Sequence, residues 1–103
     1  MKILALEKDI PNVNEKAFTK ELLKKEAARA WEIHQSGIIR ELYFRKEAPY
    51  AVLVLECNDK EEAESVLASL PLVKNGLIAF DVIPLIPYDG FARLFTDYTD
   101  SAE

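Results

Sequence analysis

A glutamate, Glu26, falls among apolar neighbours at helical spacing and is the residue of this sequence best suited to chemistry. At about 100° per residue, Leu22, Leu23, Glu26, Ala30, Ile33 and His34 project on one side of a helix, with Glu26 near the middle of the stripe. Ala27 and Ala30 are small, so room for a ligand remains beside the carboxylate where a larger side chain would close it. Burial raises a carboxyl's pKa and makes it a better base near neutral pH, unless a cation offsets the effect. Arg40 and Arg45 are the candidate cations. Two readings of Glu26 stand level: a base facing a cleft, or a structural group that pairs with Arg40 or another basic residue or reaches water at the stripe's edge.

The other candidates are weaker. His34 follows Glu26 by eight residues, about 12 Å along a helix axis, so the two can flank a ligand but cannot hydrogen-bond each other. A histidine near a helix C-terminus more often bonds the last carbonyls. One histidine with scattered carboxylates makes no recognisable metal site. Tyr43, like Trp31, Tyr50 and Phe80, reads as core, interface or ligand platform. Asp81 interrupts an apolar strand and points outward between Phe80 and Val82, or else into the cleft of Glu26. The site expected from these residues places Glu26 and Arg40 at the chemistry, with His34, Tyr43 and Asp81 around the ligand. Lys16 to Lys25 reads as a solvated face, and Cys57 as a small residue at a strand end. The chain has no glycine-rich phosphate loop, no paired-cysteine motif and no Gly-x-Ser-x-Gly elbow, so nothing calls for a cofactor.

The elements that must position these side chains follow from pattern. Lys2 to Lys8 reads as a strand, closed by the turn residues Asp9, Pro11 and Asn12. From Asn14, a suitable N-cap, to Gln35 the apolar spacing predicts one helix, with Gly37 as its C′ residue. Ile38 to Arg45 and Tyr50 to Cys57 form a hairpin across Lys46 to Pro49. A second helix starts at Asn58 or Asp59 with Glu61 or Glu62 completing a capping box, and Pro71 ends it. Leu77 to Ile86 is the last strand, and Pro84 marks it as an edge strand or a bulge.

Strand, helix, strand, strand, helix, strand is the order of a ferredoxin-like α+β fold, with two helices on one face of a four-stranded antiparallel sheet. The hairpin is apolar on both sides, so the second sheet face needs a cover, and a second subunit is the simplest one. Residues 1–87 form this domain. The tail, 88–103, brings Tyr88, Phe91, Leu94 and Phe95, which dock on a partner subunit or close a pocket before the end from Thr96 frays.

Composition bounds the function. With 103 residues, half of them apolar and 30% charged, the chain is a single soluble domain. A net charge of −5 and no basic patch argue against nucleic acid, and the longest apolar run, Ala51 to Leu55, cannot span a membrane. The lone cysteine and the lack of an export signal point to the cytoplasm.

Particular strings, in this element order, resemble the muconolactone isomerase family, small bacterial proteins of the dimeric α+β barrel superfamily that assemble into larger oligomers. They are Glu26 and Ala30 in the first helix, Gly37 to Leu42 (GIIREL) with Arg40 where the family has arginine, Leu70-Pro71-Leu72 before the last strand, and Pro87 after it. The likeness spans residues 1 to 87 without gaps. It implies a cleft between sheet and helices, completed by another subunit's tail, in which Glu26 moves a proton next to a lactone carbonyl and Arg40 stabilises the enolate-like oxygen. Lys46 to Pro49 and the aromatic tail depart from the family, which bears on the substrate. Against an isomerase stand a non-catalytic ligand-binding or assembly module and, last, a cofactor-free monooxygenase or haem-type barrel.

Overall fold

The computed structural model describes residues 1–96 and places four strands in one antiparallel sheet of order β2-β3-β1-β4. The strands are β1 (Lys2–Asp9), β2 (Ile39–Phe44), β3 (Ala51–Glu56) and β4 (Ile78–Pro84). Pro84 closes an edge strand opposite Ile3, where a missing N–H costs no ladder bond. Helices α1 (Lys20–Gln35) and α2 (Lys60–Ala68) cover one face, as the ferredoxin-like reading requires.

Two boundaries differ from expectation. Asn14 caps only a 3-10 turn, Glu15–Ala17, and α1 begins later, at a second cap where Thr19 Oγ1 accepts the Leu22 N–H at 3.1 Å. Pro71 does not merely end α2. It opens a further short helix, α3 (Pro71–Lys74), as its first residue, where proline's missing N–H would be unpaired in any case. At the other end of α1, Gly37 takes the positive φ of 87° expected of a C′ glycine.

Alternation along the strands sorts the two faces. Ile3, Ala5, Leu53, Leu55 and Ile39 point toward the helices and are buried with Ile33, Ala63, Leu67 and Leu70. Cys57, just beyond β3, joins this core. The opposite face pairs Leu4 with Val54 and with Ile83, and Leu6 with Val52, all of them partly or largely exposed and with no element among the described residues over them. Beyond β4 a 3-10 segment, Gly90–Leu94, follows, and Tyr88, Phe91, Leu94 and Phe95 are each more than 60% exposed. Residues 97–103, where fraying was expected, lie outside the described part.

Candidate active site

Glu26 stands in the second turn of α1, between that helix and the sheet, and is half-buried. Its Oε1 accepts the Leu72 N–H at 2.9 Å, a donor of the first turn of α3 that lacks an intrahelical partner. No ion pair reaches it among the described residues. Oε2 has no protein partner there either, and no buried side-chain oxygen or nitrogen of those residues is left unsatisfied, so Oε2 is open to solvent. Burial pushes the Glu26 pKa up, the Leu72 N–H opposes the shift, and the charge of Glu7 adds to it.

The space in front of Glu26 is a cleft of about 1140 Å³ between α1, the sheet and the loop after β1. Ala27 and Ala30 line it as small residues, and Leu42, Leu53, Ile78 and Phe80 supply an apolar floor. That volume, at the upper end of small-molecule pockets, leaves room for an organic ligand without fixing its size.

Glu7 is the residue the sequence reading passed over. Because β1 alternates, Ile3, Ala5 and Glu7 share the helix-facing side, and Glu7 therefore enters the cleft. Its Oε1 accepts the Ala51 N–H at 2.8 Å, which ties β1 to the start of β3. Burial raises its pKa, the Ala51 N–H opposes this, and Asp9 adds to the rise. The period of two in KILALEK was the signal that could have found it.

The other candidates divide. Tyr43 borders the cleft at its strand, but it lies opposite Val52 on the open sheet face, where its hydroxyl donates to Glu41 Oε1 at 2.7 Å, and that bond holds the phenol protonated above its ordinary pKa. His34 does not line the cleft; its Nδ1 lies 2.8 Å from the Ile39 carbonyl, which fixes the proton on that nitrogen. It bonds the next strand rather than the last carbonyls of its own helix, and through Ile39 it steadies the cleft floor. Arg40 is exposed, within the β-bulge between Ile39 and Glu41, and its Nε donates to the Gly37 carbonyl. Its charge acts on Glu56, and the Glu26–Arg40 pair that one of the two readings of Glu26 allowed does not form. Asp81 takes the outward course, bonded to Lys8 Nζ at 2.8 Å on the open sheet face. Arg45, the second candidate cation, lies over the Tyr50 ring and 3.5 Å from Glu47, outside the cleft lining. No three of the described His, Cys, Asp and Glu residues stand close enough to hold a metal ion.

Fold and site together define a ferredoxin-like α+β domain with a half-buried carboxyl in a helix–sheet cleft. The chain belongs to the muconolactone delta-isomerase family, whose model matches residues 3–90. Among solved structures it is similar to a muconolactone isomerase at 17% identity and a TM-score of 0.71, covering 99% of this chain and 100% of that one. It is also similar to 5-chloro-2-hydroxyhydroquinone dehydrochlorinase from Burkholderia phenoliruptrix AC1100, solved with 2,5-dihydroxybenzoquinone. That match has 19% identity and a TM-score of 0.60, and covers 87% of this chain and 98% of the other. At such identities the likeness to both structures is one of fold. Comparison with curated proteins gives no significant match.

Proposed function

We propose that the protein binds a small, partly apolar carbonyl compound in the cleft beside Glu26 and shifts a proton next to its carbonyl, as an intramolecular isomerase. The observation that supports this most is Glu26 itself, a carboxyl with a raised pKa, one oxygen held by a backbone N–H and the other open, against a ligand-sized apolar space. In this reading Oε2 takes a proton from the carbon next to the carbonyl, the electron pair delocalises onto the carbonyl oxygen, and the same carboxyl returns the proton to a different carbon. No cofactor is consumed. The developing oxygen charge needs a donor. Arg40 would have to leave Gly37 to provide one.

The test is turnover of unsaturated lactones by the wild type and by Glu26→Gln, with general-base loss expected to lower kcat by about 100-fold or more. Equal turnover in both, or none in the wild type, removes the isomerase reading. A second reading, a non-catalytic ligand-binding or assembly module, draws on the same hydrogen bond. Glu26 satisfies an otherwise unpaired donor of α3, a structural task that explains the carboxyl without a reaction. Ligand binding with no turnover in either protein would select it.

A further inference from the structure

An isomerisation beside Glu26 leaves the carbonyl oxygen in need of a hydrogen-bond donor. Among the described residues that line the cleft, Asn12, Tyr43 and Tyr50 are the side chains that carry an N–H or O–H outside a carboxyl group. Both tyrosines give theirs to carboxylates: Tyr43 donates to Glu41 on the open sheet face, and Tyr50 donates to Asp9 Oδ2 at 2.7 Å. The side-chain amide of Asn12 bonds to no described residue, unlike those of Asn14 and Asn75. It stands exposed at the rim of the cleft, in the loop between β1 and α1.

That loop fixes the backbone behind the amide. Pro11 restrains its own φ, and Asn12 takes a φ of 65°, the one positive φ outside glycine among the described residues. A proline followed by a residue of positive φ marks a type II turn, a position that asparagine tolerates better than most residues. The turn accounts for the backbone of Asn12 but asks nothing of its amide. With the backbone set, two side-chain torsions remain to be ordered when a ligand's oxygen arrives, which keeps the entropy cost of the contact small.

We infer that Asn12 is the residue of this chain that donates to the carbonyl oxygen of the bound ligand and stabilises the charge that grows there. The inference rests on the proposed isomerisation beside Glu26 and supplies the donor that reaction lacks. A cation in the same place would pair with Glu26, lower its pKa and weaken the base; a neutral amide stabilises the oxygen without doing so. Donors brought by a second copy would add to this contact.

Asn12→Gly and Asn12→Asp test it in the full-length protein as it assembles. Glycine enters a φ of 65° without strain and aspartate tolerates it, so both keep the turn. The first removes the amide and the second replaces its N–H groups with acceptors. The probes are muconolactone and angelica lactone, a charged and a neutral unsaturated lactone. Asn12→Gly is expected to lower kcat by at least about tenfold and to leave KM within about threefold, because the bond strengthens as charge develops. Asn12→Asp should lose at least as much. In the wild type, saturation with either lactone should shift the side-chain amide resonances of Asn12, identified by their absence from the glycine variant. Full turnover in Asn12→Gly, a loss confined to KM, bound lactone that leaves those resonances unmoved, or no binding of either lactone overturns the inference. The first of these would assign the oxygen to a backbone N–H or to another subunit. Lactone that binds and shifts the Asn12 amide in a wild type that does not turn it over leaves Asn12 as the carbonyl contact and defeats the isomerase reading alone.

Discussion

A carboxyl that folding half-buries keeps its proton to a higher pH than it does in the unfolded chain, and Glu26 and Glu7 are both of this kind. Between the unfolded and folded pKa the native state binds more protons, so stability falls as pH rises. Above the folded value the cost is constant, and below the ordinary 4.5 it is absent. Glu26→Gln, whose amide oxygen still accepts the Leu72 N–H, should therefore melt above the wild type at pH 8 and alongside it at pH 4. Because the side chain is about half exposed, solvent screening limits the gain to about 4 °C. A variant that melts lower at pH 8 would show that the charged carboxylate stabilises the fold, as an ion pair unseen in the single chain would. Glu26 was legible in the sequence because a helix of known period fixes its direction. Glu7 was equally legible, by a period of two within the strand Lys2 to Lys8, but the alternation was not followed to that residue. Arg40 was not legible: the bulge between Ile39 and Glu41 breaks the alternation that would have told which way it points.

At the scale of elements, caps rather than apolar periodicity set the boundaries. The stretch from Asn14 to Gln35 lacks proline and glycine, so nothing in it announces a break, yet two cap residues lie five apart. The chain uses both, and the extended conformation of Thr19 separates the 3-10 turn from α1. Proline 71 was ambiguous for a physical reason, since the residue that cannot continue one helix is well suited to begin another. The start of α2 was more plainly written: Asp59 Oδ1 accepts the Glu62 N–H at 2.8 Å, and Glu62 Oε1 reaches back to the Asn58 N–H at 2.6 Å. Asp59→Ala removes one arm of this reciprocal cap and should cost about 1 kcal/mol, a melting point lower by roughly 4–8 °C in a domain of this size. Asp59 does not line the cleft, so ligand affinity in the folded protein should be unchanged. An affinity loss that parallels the stability loss would tie the cleft to α2, against the separation of the two in the structure.

For the whole molecule, the question is what covers the second face of the sheet. Leu4, Leu6, Val52, Val54 and Ile83 form an apolar area with Tyr43 beside it, and the Lys8–Asp81 pair and the Met1 amine–Glu56 pair at 2.6 Å stand at its ends. An apolar centre with a charged border is the make-up of an interface between subunits. The tail adds Tyr88 and Phe91, whose rings meet edge to face at 4.9 Å, in a segment with little of its own domain to pack on. We expect light scattering to give at least twice the 11.7 kDa mass of one chain. Val54→Lys, which puts a charge in the middle of the open face while leaving the helix-side core intact, should give a folded monomer with an unchanged far-ultraviolet spectrum. Removal of residues 88–103 should weaken assembly without reaching that face. A wild type that sediments as a well-behaved monomer at tens of micromolar would mean that the open face is tolerated in water, and it would leave the cleft to be judged as a site built by one chain alone.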